Sequence, residues 1–355
     1  MQSCEATSQT PKVSVLMSVY NGQKYLAEAV ESILGQTFRD FEFIIINDGS
    51  TDGTAGILAR YQNMDNRIRV CHQENQGLIA SLNRGCLAAK GEYIARMDAD
   101  DISLPERLGR QVSFLDLHRQ IGVLGSSVQV IDDNGNLRDT WRSPTNPAFL
   151  RWLLYFCSPI AHPTVMMRRE AVARVGGYAA DMTHAEDYDL WRRLSSVTFL
   201  SNLEDVLLLL RRHKASISEV HAVRQRETSI RISQLMVSET VGREVPQGVV
   251  ESLCAWWIVQ TVSVADMRAG AKLIQRLCRA STANDALSAD EKQMISRDAS
   301  HRLLAIAYKE LDSASIPTAL VYAFRLDPVF AGLGLARTVG GRLFRPISGR
   351  PPKYP

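Results

Sequence analysis

The stretch VSVLMSVYNGQKYLAEAVESILGQTFRDFEFIIINDGSTDGT, residues 13–54, decides the fold. Val13 to Val19 and Phe41 to Asn47 are short runs dense in β-branched, aliphatic and aromatic residues, each followed by Gly, Asn and Asp, and they read as strands. Between them Tyr25, Ala29 and Ile33 recur every four residues, with Leu26 and Val30 beside them. Lys24 to Leu34 therefore reads as a helix that Gly35 stops. Working outward, a helix runs to Tyr61, Arg67 to His72 is a strand, Leu78 to Lys90 a helix and Glu92 to Met97 a strand. Repeated βα units of this length predict an α/β, doubly wound and mostly parallel sheet with helices on both faces.

After Asp101 the rhythm changes. A helix from Pro105 to His118 leads to a strand near Val123 to Ile131, and DDNGN at Asp132 to Asn136 is a hairpin turn. Mixed structure continues to a strand from Asp205 to Arg211. Beyond it the periodicity is mainly helical, with loops at Pro246 and at Ala280 to Ala289 and a tail rich in Gly, Pro and Arg. The expected organisation is a flexible N-terminal tail over residues 1–11, a catalytic α/β domain over 12–220, and a helical region with a basic tail over 221–355.

The chain's 355 residues are 45% hydrophobic and 22% charged, which excludes a disordered or fibrous protein. Residues 1–220 carry 23 Lys and Arg against 26 Asp and Glu, while residues 221–355 carry 18 against 12, so the two parts are expected to do different work. Six cysteines are scattered without a CxxC pair and suggest neither a zinc site nor a disulfide framework. Met1 to Thr10 lacks a basic n-region and an apolar core. The longest aliphatic run is Val206 to Leu210, far short of the roughly 20 residues that span a bilayer. A cytoplasmic chain without its own membrane anchor is expected.

Ligands gather at the carboxyl ends of strands in doubly wound sheets. Here those ends read Ser18-Val19-Tyr20-Asn21-Gly22, Asn47-Asp48-Gly49-Ser50, and Met97-Asp98-Ala99-Asp100-Asp101. Asn, Asp and Gly belong in turns anyway, so the first two are weak signals. The third crowds like charges at the end of a buried strand, which is unfavourable unless a cation or hydrogen bonds compensate. Asp98 and Asp100, leaving most coordination positions open, suit Mg²⁺ or Mn²⁺ held jointly with substrate phosphates. Asp101, followed by Ser103 and Pro105, is expected to cap the next helix. Further on, Leu190, Trp191 and Leu194 have helical spacing, so a helix begins near Asp187. A carboxylate in that first turn is held ionised by the helix dipole and can accept a proton, although Asp is equally at home there as a cap.

Four motifs, in order, resemble the inverting glycosyltransferases of family 2, which have the GT-A fold. They are the opening stretch, ENQGLIASLNRGCLAAKGEYIARMDADD, HPTVMMRR at His162 to Arg169, and AEDYDLWRRL at Ala185 to Leu194. The resemblance covers about residues 12–215. It implies that Ser18, Val19 and Tyr20 lie against the nucleotide base, that Asp48 bonds to the base or ribose, and that Asp98-Ala99-Asp100 is the DxD motif. In that motif Asp98 and Ala99 meet the nucleotide sugar and Asp100 binds the metal. Asp187 of the Glu186-Asp187 pair matches the catalytic base. His213, following the last core strand of this fold, is expected to complete the Mn²⁺ or Mg²⁺ site or touch the diphosphate, since imidazole suits Mn²⁺, the alternative being an exposed basic turn. His162, before Pro163, either shapes the acceptor side or packs. Gly176-Gly177 suits a tight loop where backbone approaches the donor sugar. Two positions depart from the family pattern: Asn47 stands where DDGS has Asp, and Leu82 where many members have Arg before the Asn of the third helix.

The implied activity is metal-dependent, inverting transfer of a sugar from a nucleotide-diphosphate donor, a UDP-sugar, to a hydroxyl of a glycan or lipid-linked acceptor in cell-surface polysaccharide assembly. A nucleotide-binding oxidoreductase would need GxGxxG after the first strand, where this chain has Tyr20-Asn21-Gly22-Gln23. The alternative from another class is a non-catalytic scaffold of a glycan assembly complex, but such proteins usually lose the DxD or the base. No nucleic-acid partner is expected. In the tail, Arg337, Arg342, Arg345, Arg350 and Lys353 alternate with Leu333, Leu335, Val339, Leu343 and Phe344 and no acid. That pattern suits peripheral contact with an anionic inner-membrane leaflet, although Gly332, Gly334, Gly340 and Gly341 weaken a helix there.

Overall fold

The structure, a computed structural model, describes residues 10–213, 221–253, 263–310, 318–328 and 331–332. The first nine residues and most of the basic tail, and with them the two tail expectations, lie outside the described residues. In chain order the elements are β1 (Val13–Val19), α1 (Leu26–Leu34), β2 (Phe41–Asp48), α2 (Thr54–Met64), β3 (Ile68–Gln73), α3 (Leu78–Ala88) and β4 (Tyr93–Asp98). There follow β5 (Ile102–Ser103), α4 (Arg107–Leu117), β6 (Ile121–Ile131), β7 (Leu137–Trp141), α5 (Pro147–Leu153), β8 (Met166–Arg168), α6 (Arg169–Arg174), α7 (Glu186–Leu194) and β9 (Phe199–Arg211). The helices α8 (Ala222–Val241), α9 (Gln247–Leu253), α10 (Val264–Thr282), α11 (Ala289–Glu310) and α12 (Thr318–Leu326) complete the series.

The strands form one sheet in the order β3-β2-β1-β4-β8-β6-β9-β5, with β7 paired to β6. β1 to β4 pair in parallel, as the βα rhythm requires. The far half is mixed: β8 runs antiparallel to both β4 and β6, and β5 antiparallel to β9. No crossover helix is needed for such pairs, and β6 turns into β7 through Asp132 to Asn136 with Gly135 at φ 81°. Register sets the faces. Val13, Val15, Met17, Tyr93, Ala95 and Met97 belong to a core with α1, α2 and α4. Leu16 opposite Arg96, and Ser18 opposite Asp98, point the other way, where Leu16 meets α3.

The chain divides into two compact units. Among the described residues, the first comprises 10–143 and 160–213, and the second 144–159 with everything from 221 onward. The division thus differs from a single boundary near 220, because Pro144–Pro159 joins the helical unit. Specific side chains hold it there. Asn146 caps α5 through the amide of Phe149 and donates to Glu291 at 3.0 Å, Trp152 Nε1 donates to Asp298 at 2.6 Å, and Arg302 lies over the Phe156 ring at 3.7 Å. No helix among the described residues is long and apolar enough to cross a membrane.

The β1–β4 contact has no slack at Gly91, where a Cβ would lie 2.5 Å from the Ser14 nitrogen and 2.7 Å from the Val13 carbonyl carbon. Backbone cannot rotate away as a side chain can. Gly91→Ala should therefore destabilise by about 1–3 kcal/mol in urea unfolding. Gly56, on α2 with open space where a Cβ would project, should instead gain about 0.5–1 kcal/mol on replacement by Ala.

Candidate active site

The loops after β1 and β2 are laced together before any ligand is considered. Asn21 donates its amide to Ser50 Oγ at 3.0 Å and accepts from Thr51 N at 2.8 Å, while Gly22 N donates to Thr54 Oγ1 at 2.9 Å. Gln23 N donates to Asp52 at 3.1 Å and its side chain accepts from Gly53 N at 2.8 Å. Asn21 adopts φ 52°, which Asn tolerates better than most residues. Asp48 is buried, and its carboxylate accepts from Gln73 Nε2 at 2.7 Å and from the amides of Gln76 and Gly77, each at 2.9 Å. It anchors the segment leading into α3. Ser18 is half-buried beside Asp98 in register, Val19 is buried, and Tyr20 is 53% exposed at the strand end.

The carboxylate oxygens of Asp98, Asp100 and Asp101 all lie within 4.8 Å of one another. Each has its own compensation. Asp98 pairs with Arg96 Nη1 at 2.5 Å, Asp100 meets His213 Nε2 at 2.9 Å, and Asp101 accepts the Arg211 amide at 2.8 Å. Arg211 also donates from Nε to the Asp100 carbonyl at 2.9 Å, pairs with Glu28 and covers the Tyr25 ring at 4.6 Å, so the end of β9 is fastened to the acid loop and to α1. The Tyr25 hydroxyl in turn donates to Asp133. Burial and the neighbouring Asp100 raise the Asp98 carboxyl, and burial with Asp100 and Asp98 raises Asp101 well above its usual 3.8. Three hard oxygen donors that repel one another are of the kind that fits a divalent cation. Asp101 does not cap α4, whose preceding residue is Glu106 without a side-chain cap; it closes β9 instead.

Across the sheet end, α7 opens with Glu186, Asp187 and Asp189 in its first turn. The capping position is Ala185, so Asp187 is the second helical residue rather than the cap. Asp189 is buried against Arg192 and Arg193. Glu186 is also buried, and burial together with Asp187 pushes its carboxyl up to about 7. The approach to α7 is held from α3. Asn83 donates to the Tyr178 carbonyl at 2.8 Å and accepts its amide at 2.9 Å, while Gly177 turns at φ 73° with Asn83 Oδ1 2.6 Å from where a Cβ would sit. His162 is buried, shares a 2.8 Å hydrogen bond with the Tyr178 hydroxyl and meets Trp191 edge-on. Burial and Arg96 keep it neutral, so it packs within the site wall.

Sequence reasoning missed Arg96, Arg211, Tyr25 and Asn83. Arg96 left a signal: it is the single charge inside an otherwise apolar strand, two residues before the first Asp. The other three are ordinary surface-type residues in sequence, and only topology brings them to the site.

A mixed α/β sheet with an acidic loop at the carboxyl end of its parallel half, faced by an acid pair on the helix α7, has the architecture of a GT-A glycosyltransferase. Residues 14–176 match the family model described as Glycosyl transferase family 2. EpsE of Bacillus subtilis is 39% identical over 206 residues, covering 57% of this chain and 73% of EpsE. The O-antigen biosynthesis glycosyltransferase WbnJ of Escherichia coli is 35% identical over 208 residues, covering 58% of this chain and 81% of WbnJ. S. aureus TarS 1–349, crystallised with UDP-GlcNAc, shares the fold at a TM-score of 0.56 and 18% identity, over 94% of this chain and 93% of its own. The chain belongs to glycosyltransferase family 2, and it is a glycosyltransferase.

The raised Asp101 carboxyl has a measurable consequence in metal-free protein. A carboxyl whose folded pKa is raised binds its proton more tightly folded than unfolded, so its ionisation destabilises the fold as pH rises and costs nothing below about 4. Asp101→Asn keeps an acceptor for Arg211 and removes the charge. In EDTA at pH 8 it should raise the melting midpoint by about 2–4 °C, with the gain vanishing at pH 4.

Proposed function

We propose that this glycosyltransferase moves a sugar, with inversion, from a UDP-linked donor to a hydroxyl of a glycan or lipid-linked acceptor during assembly of a cell-surface polysaccharide. The observation that carries the reading is the facing of two acid groups across one sheet end, Asp98 and Asp100 after β4 and Glu186 and Asp187 at the start of α7, with Asp187 near enough to act on the Asp98 carboxyl. An inverting displacement needs a leaving-group side and a base side. These are the two sides available.

Ser18, Val19 and the exposed Tyr20 ring would receive the base, with Asp48 shaping the neighbouring loop, and Asp98 and Ala99 would meet the nucleotide sugar. Mn²⁺ or Mg²⁺ held by Asp100 and His213 would supply positive charge to the departing diphosphate. Asp187 accepts the acceptor's proton as its oxygen attacks the anomeric carbon from the opposite face, so that an α-linked donor gives a β-linked product. Most of the gain comes from positioning and charge stabilisation, without a covalent intermediate. The nucleotide crystallised with TarS supports a UDP donor. The names of WbnJ and of AmsE of Erwinia amylovora, an amylovoran biosynthesis glycosyltransferase 32% identical over 202 residues, support polysaccharide assembly. Such acceptors, with the basic tail pattern in the sequence, support the reading of a cytoplasmic enzyme that works at the inner face of the membrane.

The test is a donor screen that reads nucleotide diphosphate release with and without Mn²⁺. Asp100→Ala should lose metal-dependent donor binding. Asp187→Asn should still bind donor and metal but turn over about 10²–10⁴-fold more slowly. His213→Ala should raise the Mn²⁺ concentration needed for half-maximal rate. Near-normal turnover by Asp187→Asn would remove it as the base.

A further inference from the structure

Two arginines are buried around the acid loop, and they differ in how their nitrogens are used. Arg107 has all three engaged by the protein: Nε donates to Gln111 at 3.3 Å, Nη1 to the Met97 sulfur at 3.4 Å, and Nη2 to the carbonyls of Arg96 and Val165 at 2.6 and 3.4 Å. That is a structural arginine. Arg96, 4% exposed, has a single partner among the described residues, the Asp98 carboxylate on Nη1. Its Nε is buried with no hydrogen bond. A donor left unmatched in the interior is destabilising, a cost the fold tolerates where a ligand completes the pairing.

Its place narrows what that ligand is. Arg96 and Asp98 share the face of β4 that looks toward α3, and the charges acting on the Arg96 guanidinium after Asp98 include Tyr178 and Asp101, while Arg96 acts in turn on Glu186. On the transferase reading of the site, Asp100 and His213 would take the leaving-group side of Asp98 and Asp187 the attacking side, with the transferred sugar between them. We propose that Arg96 is a donor-sugar contact, its unmatched Nε–H holding a ring hydroxyl of the hexose while Nη1 keeps Asp98 in place. The proposal rests on the transferase reading of the site. It makes Arg96 a residue that distinguishes nucleotide sugar from bare nucleotide, because a nucleotide diphosphate lacks the group it binds.

The experiment compares calorimetric binding of UDP-glucose, UDP-galactose, UDP-N-acetylglucosamine and GDP-mannose with UDP and GDP, all with Mn²⁺, for the full chain, Arg96→Met and Arg96→Lys. Arg96→Lys retains a cation beside Asp98 but loses the planar fork, and it decides the matter if Arg96→Met fails to fold. Both variants should bind the preferred nucleotide sugar about tenfold or more weakly while binding its free diphosphate within about twofold of the parent. Parallel weakening of both ligands means that Arg96 acts only through Asp98, and unchanged affinity for the sugar means that it touches nothing; either overturns this proposal alone. A parent chain that binds none of the probes overturns the proposed donor-site reading and this proposal together.

Discussion

Carboxylates crowded at the end of one buried strand set the terms for everything around them. Two unit charges 4.8 Å apart repel by about 3 kcal/mol at an effective dielectric of 20, and three such oxygens meet after β4. The compensation comes from several elements: Arg96 within β4 pairs with Asp98, the Arg211 amide at the end of β9 bonds to Asp101, His213 just beyond it meets Asp100, and Arg107 on α4 adds its charge. Holding the acids together therefore fixes β4, α4 and β9 in one arrangement. Arg107 illustrates the strain of this solution, since burial and the neighbouring Arg96 push its guanidinium down to about 9 although it touches no carboxylate. Its contribution is field rather than contact, delivered from the opposite face of the strand.

The polar residues that crowd the strand ends divide into frame and site. Asn21, Gln23, Ser50, Asp52 and Thr54 are committed to lacing two loops, and Asp48 to fixing a third. These bonds form with backbone amides at loop and helix starts, groups that would otherwise need water. What stands outside the frame is narrower: Tyr20 at the strand end, the acid loop with His213, and the first turn of α7. Preorganisation of this kind allows a site made from loops to present its charges without reordering when substrate arrives.

The parallel half of the sheet was legible because each of its strands is a short apolar run closed by turn residues, and each helix between them repeats at four. Element ends differ by one to three residues, as at Leu26–Leu34 against a reading from Lys24, where Tyr25 is already turned toward Asp133. The far half was harder. β8 is only three residues long, and its neighbours β4 and β6 are set by tertiary pairing that no local pattern encodes. The same limit explains Pro144–Pro159, whose apolar run reads as part of the surrounding domain until Trp152 and Asn146 are seen to bond to α11. At the site, acids were readable from their clustering, whereas of the arginines Arg96 alone left a signal, because a cation serves a distant strand as readily as a near one.

The two departures from the family pattern have physical explanations at opposite ends of the same half-sheet. Asn47 donates its amide hydrogen toward His72 Nδ1 at 3.2 Å and accepts from the Ser50 amide, also at 3.2 Å. A carboxylate there could only accept, and would need the imidazole to carry its hydrogen on Nδ1. The amide therefore pairs with the tautomer that leaves Nδ1 bare, and Asp would pair with the other. Leu82 is wholly buried on the inner side of α3, near Ile79 and Gly85, where a cation would be stripped of water without a partner. Positive charge reaches the sheet end by a different route, from within β4, where Arg96 and Asp98 lie two residues apart on one face and pair directly. Placing the cation in a strand makes its position as rigid as the sheet itself, whereas a long side chain reaching from a helix must be ordered by whatever it binds.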